Sequence, residues 1–233
     1  MDDDPAITLV CLPFAGAGAS FFRPWSDYTD LRVLPLQLPG RERRVDEEPH
    51  RDVHAAVDGL RADLVAALDP GTPVALFGHS LGAVLAYELA HRLVDGQAVE
   101  VVRLFASGSP EPRAPRRERA TGLSDADFLN RVSEFAGYNH TALDDPEMRE
   151  MFLPALRADV EMHENYRPST DQPLAVPITA LRGEDDELVG YRESASWSAV
   201  AAVDFEHVEL PGGHMYLTEA APALLRLISS TVR

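Results

Sequence analysis

The sequence predicts an α/β fold, in which a mostly parallel central sheet is flanked by helices. Two observations lead to this prediction: six short apolar segments recur along the 233 residues, and helical patterns separate them. Strands that alternate with helices are typical of parallel sheets. The hydrophobic content of 45% is enough for one compact core. We therefore expect residues 1–233 to form a single domain.

The predicted elements follow one another in a regular order. Between the second and third strands, apolar residues spaced by three and four predict a helix over 52–68. A second helix is predicted over 81–94, directly after the third strand. The predicted strands lie at 7–12, 31–36, 74–78, 99–106, 177–183 and 204–210.

Residues 107–170 interrupt this order with more chain than a connection usually needs. Ser124 begins one helix in a capping-box-like pattern, and a second helix begins near Pro146. Pro154 is expected to kink or divide the second helix, because proline removes a backbone donor. We therefore predict a helical lid insertion at approximately 111–170.

The charge balance excludes several classes of partner. A formal net charge of −17 disfavours binding to nucleic acid or to an anionic membrane, because both require basic surfaces. The acidic start MDDDPA does not resemble a signal peptide, and no apolar run approaches the roughly 18 residues of a membrane span. We therefore expect a cytoplasmic protein. The single cysteine, Cys11, lies in an apolar segment and is expected in the core.

The stretch GHSLG places Ser80 between Gly78 and Gly82, after a buried strand and before a helix. At such a sharp turn the glycines let neighbouring backbone approach, and the serine hydroxyl is exposed above the sheet. This context indicates a nucleophile. The alternative is that Ser80 serves only as the N-cap of the helix. The adjacent His79 is expected to point away from Ser80 and to order the turn.

A serine nucleophile needs a base and an acid, which follow it here in the chain order Asp or Glu and then His. Among the eight histidines, His214 follows two glycines where the last strand ends, which is the position that the base requires. The acid belongs to the acidic loop after Gly183. Spacing within that loop favours Asp186, with Asp185 as the alternative.

The first predicted strand runs into FAGAGAS, a loop of small residues at 14–20. Such a loop leaves backbone N–H groups free to stabilise an oxyanion. We predict that the N–H groups of Ala15 and Leu81 form the oxyanion hole, with Phe14 as the neighbouring candidate. The alternative is that the glycines of this loop only permit a turn.

Five stretches together resemble type II thioesterases of polyketide and nonribosomal peptide biosynthesis: LPFAGAGAS, QLPGRERR, GHSLGA, FLPALRADVEMHENYRP and GGHMYL. The resemblance extends from about residue 7 to residue 220. It implies an α/β-hydrolase fold with a helical lid and a triad at Ser80, Asp186 and His214. It also implies cleavage of acyl groups, short or aberrant ones, from the phosphopantetheine arm of acyl or peptidyl carrier proteins.

Two sets of residues are candidates for binding this substrate. Residues of the lid and of the histidine loop are expected to line the acyl pocket, although methionines there serve equally well as core filling. They are Phe135, Met148, Met151, Phe152 and Met215. A run of arginines before the lid is a candidate docking site for an acidic carrier protein, or else a solvated linker. It comprises Arg113, Arg116, Arg117 and Arg119.

The sequence leaves other activities open. A dedicated chain-releasing thioesterase, an acyltransferase or a general carboxylesterase would use the same triad. A non-enzymatic scaffold is disfavoured because all three triad positions are filled. His50 and His54 are four residues apart but lack a third ligand, so we expect no zinc site. Serine chemistry of this kind needs no cofactor, and we expect a monomer.

Overall fold

The computed structural model of the chain describes residues 7–115, 119–136 and 145–233. Within these residues, six strands form one sheet in the order β2-β1-β3-β4-β5-β6, and every pairing is parallel. The strands are β1 (Thr8–Leu12), β2 (Arg32–Pro35), β3 (Pro73–His79), β4 (Glu100–Ser107), β5 (Ile178–Gly183) and β6 (Phe205–Leu210). The predicted mostly parallel sheet is confirmed.

Helices connect these strands, as the alternating sequence pattern predicts. The α-helices are α1 (Val53–Ala67), α2 (Leu81–Gly96), α3 (Asp125–Ala136), α4 (Pro146–Asn165), α5 (Tyr191–Ala195) and α6 (Ala221–Thr231). A 3-10 helix over Ala19–Asp27 follows β1. None of the described helices is long and apolar enough to cross a membrane.

The sheet carries a hydrophobic core on each face, because successive side chains of a strand point to opposite sides. On one face, Leu12 and Leu76 pack with residues of α1 and α2. On the other face, Cys11 and Phe77 pack with residues of α6. Cys11 is fully buried, as predicted, and burial raises the pKa of its thiol. The sheet is therefore covered on both faces.

Helices α3 and α4 lie between β4 and β5, in the segment predicted as a lid. The Ser124 hydroxyl accepts a hydrogen bond from the backbone N–H of Asp127 at 3.3 Å, as in the expected capping pattern. Pro154 was expected to kink or divide α4, and the predicted division is wrong: the helix is continuous over Pro146–Asn165. Burial of the α4 face that includes Leu153 and Leu156 offsets the backbone hydrogen bond that proline removes.

Candidate active site

Ser80 occupies a sharp turn between β3 and α2. Its backbone has φ 52° and ψ −117°, a left-handed conformation that non-glycine residues rarely adopt. The Ser80 N–H donates to the carbonyl oxygen of Ser107 at 2.8 Å, which holds the turn against the end of β4. The Ser80 side chain makes no capping hydrogen bond to α2. The alternative N-cap role is therefore not supported, and the hydroxyl remains available for chemistry.

The two glycines of this turn are required by close backbone approach. A Cβ atom on Gly78 would lie 1.9 Å from the carbonyl oxygen of Gly82. A Cβ atom on Gly82 would lie 2.6 Å from the carbonyl oxygen of Leu12, at the end of β1. Both distances are far inside van der Waals contact. The glycines therefore bring the Ser80 turn against the first strand and its loop.

Asp186 and His214 form a hydrogen-bonded pair. The Asp186 Oδ2 atom lies 2.9 Å from His214 Nδ1, and the carboxylate is almost completely buried. Its Oδ1 atom accepts from the backbone N–H groups of Leu188 at 2.9 Å and Val189 at 3.0 Å. Burial alone would raise the pKa of Asp186, but the hydrogen bond to His214 and the two N–H donors outweigh burial and lower it. Asp185, the alternative acid, is exposed.

The loops that carry Asp186 and His214 leave neighbouring parallel strands at the same level. Gly183 of β5 is in register with Leu210 of β6. The backbone N–H of Asp185 donates to the carbonyl oxygen of Gly212 at 2.9 Å. A Cβ atom on Gly183 would lie 2.2 Å from the carbonyl oxygen of Gly213. This close backbone contact aligns the Asp186 carboxylate with the His214 ring.

Arg182 supports the acid loop and was not identified from the sequence. Its Nε atom donates to the carbonyl oxygen of Val189 at 2.9 Å, and its Nη2 atom donates to that of Asp186 at 3.0 Å. The guanidinium also pairs with Glu209 of β6. The only signal in the sequence is an arginine at the end of the apolar strand ITALRG.

His79 packs against His214. The side chain of His79 is fully buried, and its Nδ1 atom lies 2.9 Å from the Ser107 hydroxyl. That hydroxyl lies 2.7 Å from the hydroxyl of Tyr216, two residues after His214. Burial, followed by repulsion from His214, holds the pKa of His79 well below its usual value. The Ser107 hydroxyl thus links the buried His79 ring to the loop that carries His214.

The loop after β1 lies beside the nucleophile turn and is internally fixed. The N–H of Ala17 donates to the carbonyl oxygen of Phe14 at 3.0 Å, and Gly16 has φ 79°. The N–H of Gly16 donates to the carboxylate of Asp159 at 2.8 Å. Within the described part of the chain, the N–H of Ala15 has no acceptor. Gly16 does permit a turn, and in the same described residues the N–H of Phe14, the neighbouring candidate, likewise has no acceptor, so both N–H groups are available as donors.

The second predicted oxyanion donor is the N–H of Leu81, the first residue of α2. N–H groups of a first helical turn lack intrahelical acceptors and attract negative charge. The ring of Phe14 packs edge-on against those of Phe21 and His79, at centroid distances of 4.9 and 5.9 Å. Phe14 therefore covers one side of the site with its side chain.

The predicted pocket residues differ in exposure. Met151 is 46% exposed, whereas Met148, Phe152 and Met215 are half-buried, and Met215 packs against the core on the α6 side. The side chain of Phe135 lies outside the described part of the structure. Among the described side chains, none of the predicted pocket residues belongs to the small apolar cluster against which Ala15 packs. That cluster consists of Ala120, Phe128, Leu153 and Leu156.

Two of the four arginines predicted to dock a carrier protein contact the chain itself. Arg113 donates to the carbonyl oxygen of Asp171. Arg119 donates to Asn165 at 2.6 Å and lies 3.6 Å from the Glu164 carboxylate. Arg116 and Arg117 lie outside the described residues. In the described part of the chain, no group of three or more metal-ligating side chains is placed to hold a metal ion.

The chain is similar in sequence and in structure to known thioesterases. The family described as thioesterase domain matches residues 7–232. The gramicidin S biosynthesis protein GrsT of Aneurinibacillus migulanus is 32% identical, with 97% of this chain and 89% of that protein covered. Among solved structures, the type II thioesterase BorB from the borrelidin biosynthetic cluster is 34% identical, with a TM-score of 0.84 and coverage of 98% and 92%.

ClbQ from the colibactin NRPS/PKS pathway has a similar structure. It is 25% identical, with a TM-score of 0.90 and coverage of 97% of each chain. The parallel sheet and its flanking helices, together with these similarities, confirm the predicted α/β-hydrolase fold.

Proposed function

This chain belongs to the thioesterase family and is a hydrolase of thioesters, and from that premise we propose that it removes short or aberrant acyl groups from carrier proteins. The thioester would join the acyl group to the phosphopantetheine arm of an acyl or peptidyl carrier protein. GrsT is a gramicidin S biosynthesis protein and BorB is a type II thioesterase of a biosynthetic cluster. We propose the same kind of pathway for this chain.

The observation that supports the proposal is the hydrogen-bonded pair of Asp186 and His214 at the sheet edge that carries the strained Ser80 turn. In the proposed reaction, the Ser80 hydroxyl attacks the thioester carbonyl carbon while His214 accepts the hydroxyl proton. Asp186 holds the His214 ring in one tautomer and stabilises the imidazolium that forms. Its lowered pKa keeps it ionised for this role.

The oxygen of the tetrahedral intermediate would be stabilised by the N–H groups of Ala15 and Leu81. Collapse of the intermediate breaks the carbon–sulfur bond, and the thiol leaves with the proton from His214. A thiol with a pKa of about 8.5 needs less acid assistance than an amine. An acyl ester on Ser80 remains.

Hydrolysis of this ester would complete the cycle. A water molecule attacks the ester carbonyl as His214 takes one of its protons, and the same N–H groups bind the second oxyanion. The free acid leaves, and the proton returns to Ser80. The atoms of one water molecule are thus divided between the acid and the thiol.

The experiment that tests this function measures release of acyl groups from loaded carrier proteins. Carrier proteins bearing acetyl, propionyl, hexanoyl and longer chains are incubated with the protein and with its Ser80→Ala variant, and all species are followed by intact mass spectrometry. We expect serine-dependent release of free short acids from several carriers. Release of only a long or cyclised product would indicate a dedicated off-loading enzyme, and a product other than the acid would indicate a transferase.

A further inference from the structure

A buried ion pair joins the lid to the loop between β2 and α1. Arg41 lies in the stretch QLPGRERR, and Asp159 lies on α4. The Arg41 Nη1 atom is 2.6 Å from Asp159 Oδ2, and its Nη2 atom is 2.7 Å from Asp159 Oδ1. The side chains are 4% and 0% exposed. Such a two-point pair in the interior fixes both the distance and the orientation of its partners.

The same pair also holds the loop after β1. Asp159 Oδ2 accepts the N–H of Gly16 at 2.8 Å, and Arg41 Nη1 donates to the carbonyl oxygen of Ala17 at 3.1 Å. The pair therefore binds the N–H of Gly16, in the peptide group that follows Ala15, and the carbonyl oxygen of Ala17. These three segments are separated by as many as 143 residues in the chain.

These contacts determine the direction of the Ala15 N–H. A peptide group is planar, so fixing one of its atoms restrains its whole plane. The Ala15 N–H belongs to the peptide group between Phe14 and Ala15. This peptide group is held through its carbonyl oxygen, that of Phe14, which accepts a hydrogen bond from the N–H of Ala17. The peptide that follows Ala15 is held through the Gly16 N–H by Asp159. With both flanking planes fixed, Ala15 retains little freedom to reorient its donor.

Apolar packing brings α4 to the same place. Ala15 packs against the cluster that contains Phe128 and Leu156. A Cβ atom on Gly16 would lie 3.2 Å from the Leu156 side chain. The lid helix thus contacts the loop both through carbon atoms and through the Asp159 carboxylate.

We propose that Arg41 and Asp159 are positioning residues, which align the Ala15 N–H with the oxyanion and make this alignment depend on the lid helix. The inference rests on the proposed function of Ser80 and Ala15. Two apolar side chains of similar size would fill the same space, but they would not accept the Gly16 N–H. A buried ion pair can often be replaced in this way without loss of stability, whereas removal of one partner leaves an unpaired charge.

The test therefore replaces both partners. The variant Arg41→Met/Asp159→Leu is compared with the parent protein and with Arg51→Met/Glu161→Leu. The latter removes the Arg51–Glu161 pair, which also joins α4 to the segment before α1 but is solvent-exposed and does not contact the loop. The substrates are short acyl thioesters of N-acetylcysteamine, and the inhibitor is an alkyl boronic acid, which forms a tetrahedral adduct with serine nucleophiles.

We expect the double variant at positions 41 and 159 to lose about 100-fold in kcat, as when an oxyanion donor is misaligned. Its KM should stay within about threefold of the parent value, and the inhibition constant of the boronic acid should rise in parallel with the fall in kcat. The control pair variant should match the parent in all three quantities. A merely structural role would leave the kcat of the folded double variant and its boronic acid affinity unchanged.

A folded double variant with parental kcat and parental boronic acid affinity overturns the inference, as does a rise in KM alone. If the double variant does not fold, Arg41→Gln/Asp159→Val, which also removes both charges and the acceptor of the Gly16 N–H, is assayed below its own melting temperature and judged by the same criteria. Ser80→Ala is measured in the same assay. Parental turnover by Ser80→Ala contradicts the proposed function itself, whereas its inactivity beside a fully active Arg41→Met/Asp159→Leu contradicts only this inference.

Discussion

The rings of His79 and His214 lie against each other, with centroids 4.7 Å apart and an angle of 50° between their planes. Two imidazoles this close cannot both be charged without strong repulsion. Burial and this repulsion hold the pKa of His79 well below its usual value, and in the proposed mechanism the positive charge that develops when Ser80 loses its proton is carried by His214. In the proposed mechanism His79 therefore packs against the base and does not compete with it for the proton of Ser80.

The lowered pKa of His79 predicts a pH-dependent stability. In the unfolded chain His79 has its ordinary pKa of about 6.5, so below that pH the unfolded state binds a proton that the folded state does not. The free energy of unfolding should then fall as the pH falls below about 6.5, by up to about 1.4 kcal/mol per pH unit for this one group. The loss continues until the pH reaches the pKa of the folded state.

This dependence is measured by urea unfolding at several pH values between 7.5 and 5.5, for the parent and for His79→Leu. The pKa values of His50, His91 and His207 are also lowered, chiefly by burial, so the parent slope contains their contributions as well. The difference between the two slopes isolates His79. Equal slopes would show that the His79 ring titrates normally in the folded protein.

Asp186 and Asp185 provide a matched pair of substitutions at the acid position. Asp186→Asn should lower kcat by about 10⁴-fold, because an amide does not hold His214 in the productive tautomer. Asp185→Asn should leave kcat within about twofold, because this carboxylate is exposed. Steady-state kinetics on a small soluble thioester gives both values. A larger loss of kcat in Asp185→Asn than in Asp186→Asn would show that Asp185, and not Asp186, is the acid.

Gly82 and Gly59 provide a second matched pair, since both lie in helices. Gly82→Ala should destabilise the protein by about 1–3 kcal/mol, because its Cβ atom would lie 2.6 Å from the carbonyl oxygen of Leu12. A Cβ atom on Gly59 would lie 3.5 Å from His50 Nε2, which is an ordinary contact. Gly59→Ala should therefore stabilise the protein by up to about 1 kcal/mol. Thermal unfolding compares them. A stable Gly82→Ala variant would mean that the turn does not need this close approach.

The arginine run at 113–119 predicts a difference between large and small substrates. Reversal of charge in Arg116→Glu/Arg117→Glu should raise KM for acyl-carrier substrates about tenfold and leave KM for N-acetylcysteamine thioesters unchanged. Arg226→Glu, a reversal at an exposed position of α6, serves as the control. Equal effects on both classes of substrate would exclude a docking role for the run.

The positions proposed for the triad are marked in the sequence by local signals. Ser80 has glycines on both sides between a strand and a helix, and His214 follows two glycines at a strand end. Parallel strands place such ends at one edge, so local patterns were sufficient to bring these residues together. The structure adds the 2.9 Å contact that distinguishes Asp186 from Asp185.

Long-range polar contacts could not be predicted in the same way. Arg41 and Asp159 are separated by 118 residues, and neither shows by its neighbours that it is buried. The packing of His79 against His214 likewise depends on how β3 and the loop after β6 meet. The helix α4 is not divided at Pro154 for a related reason, since tertiary packing can hold a helix together where local propensity would divide it.

The most direct measurement for the whole account is the identification of the acylated residue. The protein is mixed with an acylated carrier protein, quenched with acid within one turnover, digested and analysed by mass spectrometry. We predict that the acyl mass is found on the peptide that contains Ser80 and that it is absent from Ser80→Ala. Acylation of a different residue, or full turnover by Ser80→Ala, would contradict the assignment of Ser80 as the nucleophile.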